Sequence, residues 1–302
     1  MTQKPPVETV LGLAVPPELD GVSVRTAAAQ GLGMSYGQFK RAKFQGRMLL
    51  DGCAVHADAR VRAGQTLEIR VPEKPNTQPQ PVDLPLRVPY ADEHFLVVDK
   101  PAPLPSSSSR LKDGPTLENA VYAFLGAPEG FVYRPVNRLD RGASGLMLVA
   151  KTAHAQQLLQ RMLHTDRFVR EYLAVVCGAP PEAQGLIDLP IAKAPGATLR
   201  REVRADGKPA QTLYRVVQAG EPYSLVRLRL LTGRTHQIRV HLSALGCPIA
   251  GDFLYGTEHP GLAQRFALHS AQVRLLHPVT GQWLCLESPL PPALEALLGA
   301  RD

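Results

Sequence analysis

The sequence predicts an α+β protein, in which a large domain with a mixed, mainly antiparallel sheet flanked by helices follows a small N-terminal α/β domain. Three observations lead there. Strand-like runs recur at hairpin spacing, and helical segments stand apart from them instead of alternating one for one. A stretch with six prolines, Pro72 to Pro89, divides the chain. At 302 residues the chain is long enough for more than one domain and for a core that needs no staples. The expected divisions are a flexible tail over 1–20, a small domain over 21–72, a semi-rigid linker over 73–89 that lets the small domain move, and a large domain over 90–302.

The elements follow in order. From Val24 the chain turns helical, closing towards Gly31 and Gly33, and Ser35 is placed as the N-cap of a second helix running to Arg47, with Gly46 near its end. That helix carries Lys40, Arg41 and Lys43. Asp51-Gly52 between Met48–Leu50 and Ala54–His56 is a hairpin signal, and another turn and strand follow to Ile69. After the proline stretch, Phe95–Val98 is an apolar strand ending in Asp99-Lys100-Pro101, and a helix is expected near Leu117–Leu125. Four serines, Ser106–Ser109, suggest a loop. Leu146–Ala150 is a buried strand, Thr152 caps a helix whose Leu158, Leu159, Met162 and Leu163 face a core, and Arg170–Val176 is a strand carrying Tyr172. A basic loop, Ala192–Pro209, precedes strands at Gln211–Val217 and Tyr223–Leu231. A helix begins after Arg234, with Ile238, Leu242 and Leu245 at core spacing and Gly246 to end it. Closing strands at Phe266–Leu276 and Trp283–Leu286 and a last helix over Pro291–Leu298 complete the fold.

The totals narrow the class of function. No apolar run approaches the roughly 18 residues of a membrane span, and no basic region followed by a hydrophobic stretch opens the chain, so a cytoplasmic protein without membrane contact is expected. Four dispersed cysteines, without a Cys-x-x-Cys pair, suggest reduced and mostly buried thiols and no metal site. The net charge is +7, and between Gly21 and Pro72 eight Lys/Arg face three acids. A local excess of this size attracts a polyanion through counterion release, although a merely solvated basic face accounts for it equally well.

The stretch with the most chemistry is Val136–Lys151, which sets Asp140 between Arg138 and Arg141 ahead of a Gly-Ala-Ser-Gly turn and the buried strand. Flanking positive charge favours the ionised form of a carboxylate, and the turn holds it at the mouth of the sheet. An Asp-Arg dipeptide alone is more often a surface pair. Here Arg170-Glu171-Tyr172 and Leu231–His241, with its Thr-Gly-Arg-Thr-His-Gln-Ile-Arg-Val-His run, stand downstream, and Lys100-Pro101 stands upstream. In this order the segments resemble the pseudouridine synthases of the RluA type, from about Tyr90 to Pro289. The two short helices and hairpin of 21–72 resemble the S4 RNA-binding module.

The resemblance implies an enzyme that isomerises uridine to pseudouridine in structured RNA, with large-subunit ribosomal RNA favoured and transfer RNA as the alternative. It implies Asp140 as the catalytic aspartate, whether by attack on the sugar or by assisting deprotonation there. Tyr172 would stack on the base, Arg234 would pair with Asp140, and Ile238 would wall the pocket. RNA contacts would come from Arg138, which would enter the RNA as the target is extruded, and from Arg141, Lys100, Lys40, Arg41, Lys43, Arg47, Arg200 and Arg201. Because the isomerisation adds neither electrons nor groups, no cofactor is implied. A monomer is the default. A non-catalytic RNA-binding or assembly protein is the competing reading, disfavoured by the intact Asp140, Tyr172 and Arg234.

Two positions depart from the family pattern: Asn137 stands where His is usual, and Pro103 where Gly is usual after Lys100-Pro101-Ala102. Other motifs fail on spacing. Gly142–Gly145 is not a Gly-x-Ser-x-Gly elbow, because Leu146 takes the final position. His236 and His241 lack the intervening Glu of a zinc helix, and His236 is expected to be structural or RNA-facing.

Overall fold

The protein is described by a computed structural model over residues 8–72, 79–107 and 114–299. The small N-terminal unit is a four-stranded sheet with two helices. Strand β1 (Glu8–Ala14) leads into helices α1 (Val24–Gln30) and α2 (Tyr36–Gln45) and strands β2 (Arg47–Leu50), β3 (Cys53–Ala54) and β4 (Thr66–Pro72). The sheet order is β1-β4-β2-β3. Ser35 caps α2 through a reciprocal box with Gln38, which satisfies two otherwise orphaned backbone N–H groups. Asp51 and Gly52 both have positive φ, the backbone twist a two-residue hairpin needs. The expected tail is partly wrong: residues 8–14 form β1, antiparallel to β4, while residues 1–7 lie outside the described ones.

The large unit contains β5 (Arg87–Ala91), β6 (Phe95–Lys100), α3 (Leu117–Phe124), β7 (Arg134–Pro135), β8 (Ser144–Ala150), α4 (Ala153–Met162), β9 (Phe168–Cys177) and β10 (Gln184–Asp188). It continues with β11 (Ile191–Lys193), β12 (Arg201–Val203), β13 (Gln211–Gln218), β14 (Tyr223–Leu230), α5 (Gln237–Ala244), β15 (Leu268–Leu276), β16 (Trp283–Glu287) and α6 (Pro292–Gly299). The main sheet runs β10-β13-β14-β9-β15-β8-β6-β5, with β16 added to β15 and β7 to β8. Only β15 and β8 pair in parallel among the described strands. Alternation along β6 sends Phe95 and Val97 into a core with Leu159 of α4, and Leu96 and Val98 into the larger core with α3, α5 and α6 on the opposite face. β8 lies between both cores and is buried at every position, which is why its sequence is one apolar run. Gly145 on β8 has φ +106, and a Cβ there would meet the Ser270 backbone at 2.3 Å, so the tight β8–β15 contact requires glycine.

Three further expectations change. The second half of the proposed linker is docked: Leu84, Leu86 and Val88 pack on the larger core, the Val82 N–H donates to the Asn119 carbonyl on α3, and β5 begins at Arg87. Residues 73–78 lie outside the described ones, as do Ser108 and Ser109 of the serine run. The small unit is also tied to α4. The Ser35 N–H donates to Gln157 Oε1 at 3.1 Å, and Gln157 Nε2 donates to the Gly33 carbonyl. Finally, Cys53 and Cys285 are exposed, not buried.

Asp92 clamps the β5–β6 turn. Its carboxylate accepts from the His94 and Phe95 N–H groups, from the Tyr90 hydroxyl at 2.7 Å and from His277 Nε2 at 2.6 Å. Burial alone would raise the carboxyl, but bonds from Phe95, Tyr90, His277 and His94 together hold it at about 2. A lowered carboxyl stabilises the fold above its ordinary value near 3.8, and that contribution is lost as pH falls towards 2. Asp92→Ala is expected to lower stability at pH 7 by about 2–3 kcal/mol in urea unfolding, and the gap to wild type should close between pH 4 and 2; equal stability at pH 7 would refute the clamp. Gln157→Ala is expected to loosen the small unit by about 1 kcal/mol per lost bond, read as a larger maximum dimension in solution scattering. An unchanged scattering profile would show that the two bonds do not hold the units together.

Candidate active site

Asp140 lies in the loop between β7 and β8, at the end of the central strands. The loop is braced from below. The Ser106 hydroxyl donates to the Leu139 carbonyl and accepts from the Leu139 N–H, and the Leu104 N–H donates to the Arg141 carbonyl. Lys100, at the end of β6, is completely buried, and its ammonium donates to the carbonyls of Pro101, Leu104 and, at 3.5 Å, Arg141. Burial pushes its pKa down to about 7, against the pull of the Asp140 charge. Lys100 therefore supports the loop from inside and has no surface with which to touch RNA.

The guanidinium that holds Asp140 is Arg239, on α5. Its Nη1 donates to Asp140 Oδ2 at 2.9 Å, while Nε and Nη2 fork onto Asp252 at 2.7 and 2.8 Å. Arg239 is sandwiched by the rings of Phe266 and Tyr255, with its guanidinium carbon 4.3 and 4.9 Å from their centroids. Asp252 is fully buried and also accepts from the Leu254 and Tyr255 N–H groups. Burial works against the cation, but the two carboxylates raise its pKa. The expected partner, Arg234, is corrected by this geometry: it is exposed, and its Nε donates to the Pro209 carbonyl. It precedes α5 in a turn held by Gln237, whose Oε1 accepts from the Arg234 N–H and the Thr232 hydroxyl.

Asp140 borders a cavity of about 540 Å³ that Tyr172 also lines, from β9. Arg138, Arg141, Arg170 and Arg234 stand around it, so one acid faces four guanidinium groups. Arg138 and Arg141 are exposed, and Arg141 donates to Gln264 at 2.8 Å. Arg170 and His164, which sequence reasoning passed over, meet at 3.3 Å on its rim, and burial beside two arginines takes His164 down to about 4. Ile238, expected as a pocket wall, is instead buried in the core cluster that contains Tyr172 and lines none of the described cavities. Asn137 is buried, and its Oδ1 accepts from the Leu148 N–H on β8. At this position the side chain ties the loop to β8 while the residue also borders the Tyr172 cavity.

His236, expected to be structural or RNA-facing, stands beside Asp140. It caps α5 in the left-handed region, φ +58, which a residue with a Cβ adopts only at a cost. Its Nε2 stands 3.9 Å from Asp140 Oδ2, and its Nδ1 is 2.8 Å from the Tyr255 hydroxyl, which accepts from the Arg201 N–H. Burial keeps the imidazole below its ordinary value despite the Asp140 charge. Both contacts of Asp140 fall on Oδ2, and Oδ1 takes no hydrogen bond from a described residue.

The remaining expected RNA contacts do not line the Tyr172 cavity. On the small unit Lys40, Lys43 and Arg47 are exposed and Arg41 is half-buried; the exposed rings of Tyr36 and Phe44 share α2 with Lys40, Arg41 and Lys43, whereas Arg47, expected on that helix, opens β2. Arg200 is exposed beside β12, whereas Arg201 is half-buried. The basic loop expected over 192–209 contains the short β11–β12 hairpin.

Residues 94–244 match the family model described as RNA pseudouridylate synthase. The chain is similar to "Ribosomal large subunit pseudouridine synthase D" of Nitrosomonas europaea, at 37% identity over 97% of this chain and 88% of that protein. It is 38% identical to the protein of the same name from Xanthomonas campestris, over 84% and 81% of the two chains. Among solved structures, "Human RNA Pseudouridylate Synthase Domain Containing 1" superposes with a TM-score of 0.57 and 29% identity, covering 73% of this chain and 90% of that one. With an aspartate and a tyrosine meeting in an arginine-lined cavity and relatives of this identity along nearly its whole length, the chain belongs to the RNA pseudouridylate synthase family.

Proposed function

We propose that the protein isomerises specific uridines in structured large-subunit ribosomal RNA, with Asp140 as the catalytic carboxylate and without a cofactor. The observation that carries this is the placement of Asp140 beside Tyr172 in a cavity ringed by arginines, with its Oδ2 held by Arg239 and its Oδ1 free for a substrate. The choice of RNA is supported by the names of the two bacterial relatives. The exposed cations and aromatic rings of α2 support a second contact to the same RNA through an S4-like module.

In this reading the target nucleotide leaves its stack, at a cost of a few kcal/mol, and enters the cavity while Arg138 fills the vacancy. Tyr172 stacks on the base, and its hydroxyl manages the proton at C5. Asp140 addresses the ribose. The N1–C1′ bond breaks, the base turns, and a C5–C1′ bond forms; C5 gives up its proton and N1 takes one, so the balance closes without an outside reactant. Arg239 is a positioning residue, fixing the carboxylate so that it does not have to reorganise in the transition state.

The test is to incubate the protein with unmodified large-subunit ribosomal RNA and map carbodiimide-resistant adducts. Wild type is expected to create discrete pseudouridines, and Asp140→Asn to lose on the order of 10³–10⁴-fold in rate; no new site with wild type, or equal activity from the variant, would overturn the assignment. The arginines separate cleanly. Arg239→Ala strands the buried Asp252 and is expected to cost about 3–5 kcal/mol of stability, whereas Arg239→Lys should fold but lose turnover, because an ammonium cannot fork onto one acid while holding the other. Arg234→Ala should stay within about 0.5 kcal/mol of wild type in stability and show weaker, less salt-dependent RNA binding. A larger stability loss from Arg234→Ala than from Arg239→Ala would reverse the assignment of the two.

A further inference from the structure

Asp140, Arg141 and His236 line two cavities at once: the one with Tyr172, and an adjoining one of about 930 Å³. The reaction described above uses only the first. The second is bordered by two large apolar side chains that are otherwise exposed to solvent, Leu199 beside β12 at 59% and Phe253 after α5 at 57%. Leaving both bare on one cavity is unusual unless something covers them. The same cavity is bordered by Arg265, a guanidinium with too few partners. Its Nε is buried without a hydrogen-bond partner among the described residues, and its one recorded bond is a long 3.4 Å contact from Nη2 to the Ser144 hydroxyl. A desolvated, under-bonded guanidinium is stabilised by an anion. Of the two acids on the cavity, Asp140 is engaged by Arg239 and Glu258 is exposed.

An apolar slot beside an unsatisfied cation matches the two halves of a nucleotide, a base with a π-face and a phosphate. Its shared wall with the Tyr172 cavity fixes which nucleotide. A strand that delivers one residue to Asp140 brings its covalent neighbour to the far side of the same partition. We propose that this second cavity is a nucleotide subsite for an unpaired residue directly flanking the target uridine, its base lying against Phe253 and Leu199 and its phosphate on Arg265. This rests on the RNA-modifying function proposed above. Such a subsite stacks a base without reading its hydrogen-bonding edge, so it registers that the neighbour is unstacked, not which base it is. It also recovers part of the unstacking cost of extrusion.

The experiment compares three substrate RNAs, one unmodified and two with a single abasic nucleotide immediately 5′ or 3′ of the target, with wild type and the Leu199→Ala/Phe253→Ala variant. Both side chains are exposed, so the variant is expected to fold. Wild type should lose roughly ten- to hundred-fold in kcat/KM on one of the abasic RNAs, the size of one stacked base, and little on the other. The variant should show a similar loss on unmodified RNA and no further loss on that abasic RNA. Arg265→Gln should flatten the salt dependence of binding by about 0.7 in the log–log slope, one single-strand phosphate. Equal turnover of all three RNAs by wild type, or losses from variant and abasic RNA that simply add, would overturn the subsite while leaving the enzyme assignment intact; an unchanged salt slope would overturn the phosphate contact. Failure of wild type to modify the unmodified RNA would instead overturn the functional reading beneath it.

Discussion

The molecule depends on one guanidinium shared between two carboxylates. Arg239 gives two hydrogen bonds to Asp252 and one to Asp140, in a slot closed by Phe266 and Tyr255. The division is unequal for a physical reason. Asp252 is fully buried, so its charge is tolerable only with all its bonds made, and it receives four, two from Arg239 and two from backbone N–H groups. Asp140 is partly exposed, with about 30% of its side chain accessible, and can be left with one oxygen unbonded. Asp252 fixes the arginine, and the arginine fixes Asp140, the carboxylate proposed above as catalytic. The pair of acids exceeds Arg239 in charge by one, and the arginines around the Tyr172 cavity supply a surplus that an RNA phosphate can share.

Beneath this lies a floor of the same logic. Lys100 carries its ammonium into the interior, where it donates to the carbonyls of Pro101, Leu104 and Arg141, and Ser106 clasps both backbone groups of Leu139. Lys100 is wholly buried, and Ser106 borders the Tyr172 cavity with its hydroxyl committed to the loop. They brace residues 139–141, so that Asp140, the group proposed above as reactive, has a hydrogen-bonded support although it lies in a loop.

Much of this was legible in the residues. The strands at Phe95–Val98 and Leu146–Ala150 and the caps Ser35 and Thr152 follow from local pattern, and the meeting of Asp140 with Tyr172 from the family resemblance. What was missed depends on partners distant in sequence. β1 pairs with β4 more than fifty residues on, and the alternation of Thr9 to Leu13 follows a proline-rich start that reads as a tail. Arg234 and Arg239 stand in the same motif, and motif order alone cannot say which faces inward. The helical phase does: Arg239 adjoins Ile238 and lies one turn before Leu242 on a helix that starts only at Gln237, so its charge falls among buried positions. Lys100 misled for the opposite reason, since a lysine is rarely wholly buried and its three carbonyl partners come from backbone that no composition reveals.

Helix α4 links the small unit to the Tyr172 cavity. Gln157 holds the α1–α2 connection of the small unit, and Gln160, three residues on and so a neighbour on the same helical face, borders the Tyr172 cavity. The spacing from the basic helix α2 to Asp140 is then set by less than one turn of helix, and not by the reach of the proline-rich connection. A linker alone would leave the second contact at an effective concentration governed by chain length, and each binding event would have to immobilise the small unit. With the units already docked, that ordering cost is met during folding, and in the reading proposed above an RNA that touched α2 would find the carboxylate at a fixed distance. In that reading, selection of a uridine would rest on the shape of the RNA between those two points, as well as on what the cavities themselves accept.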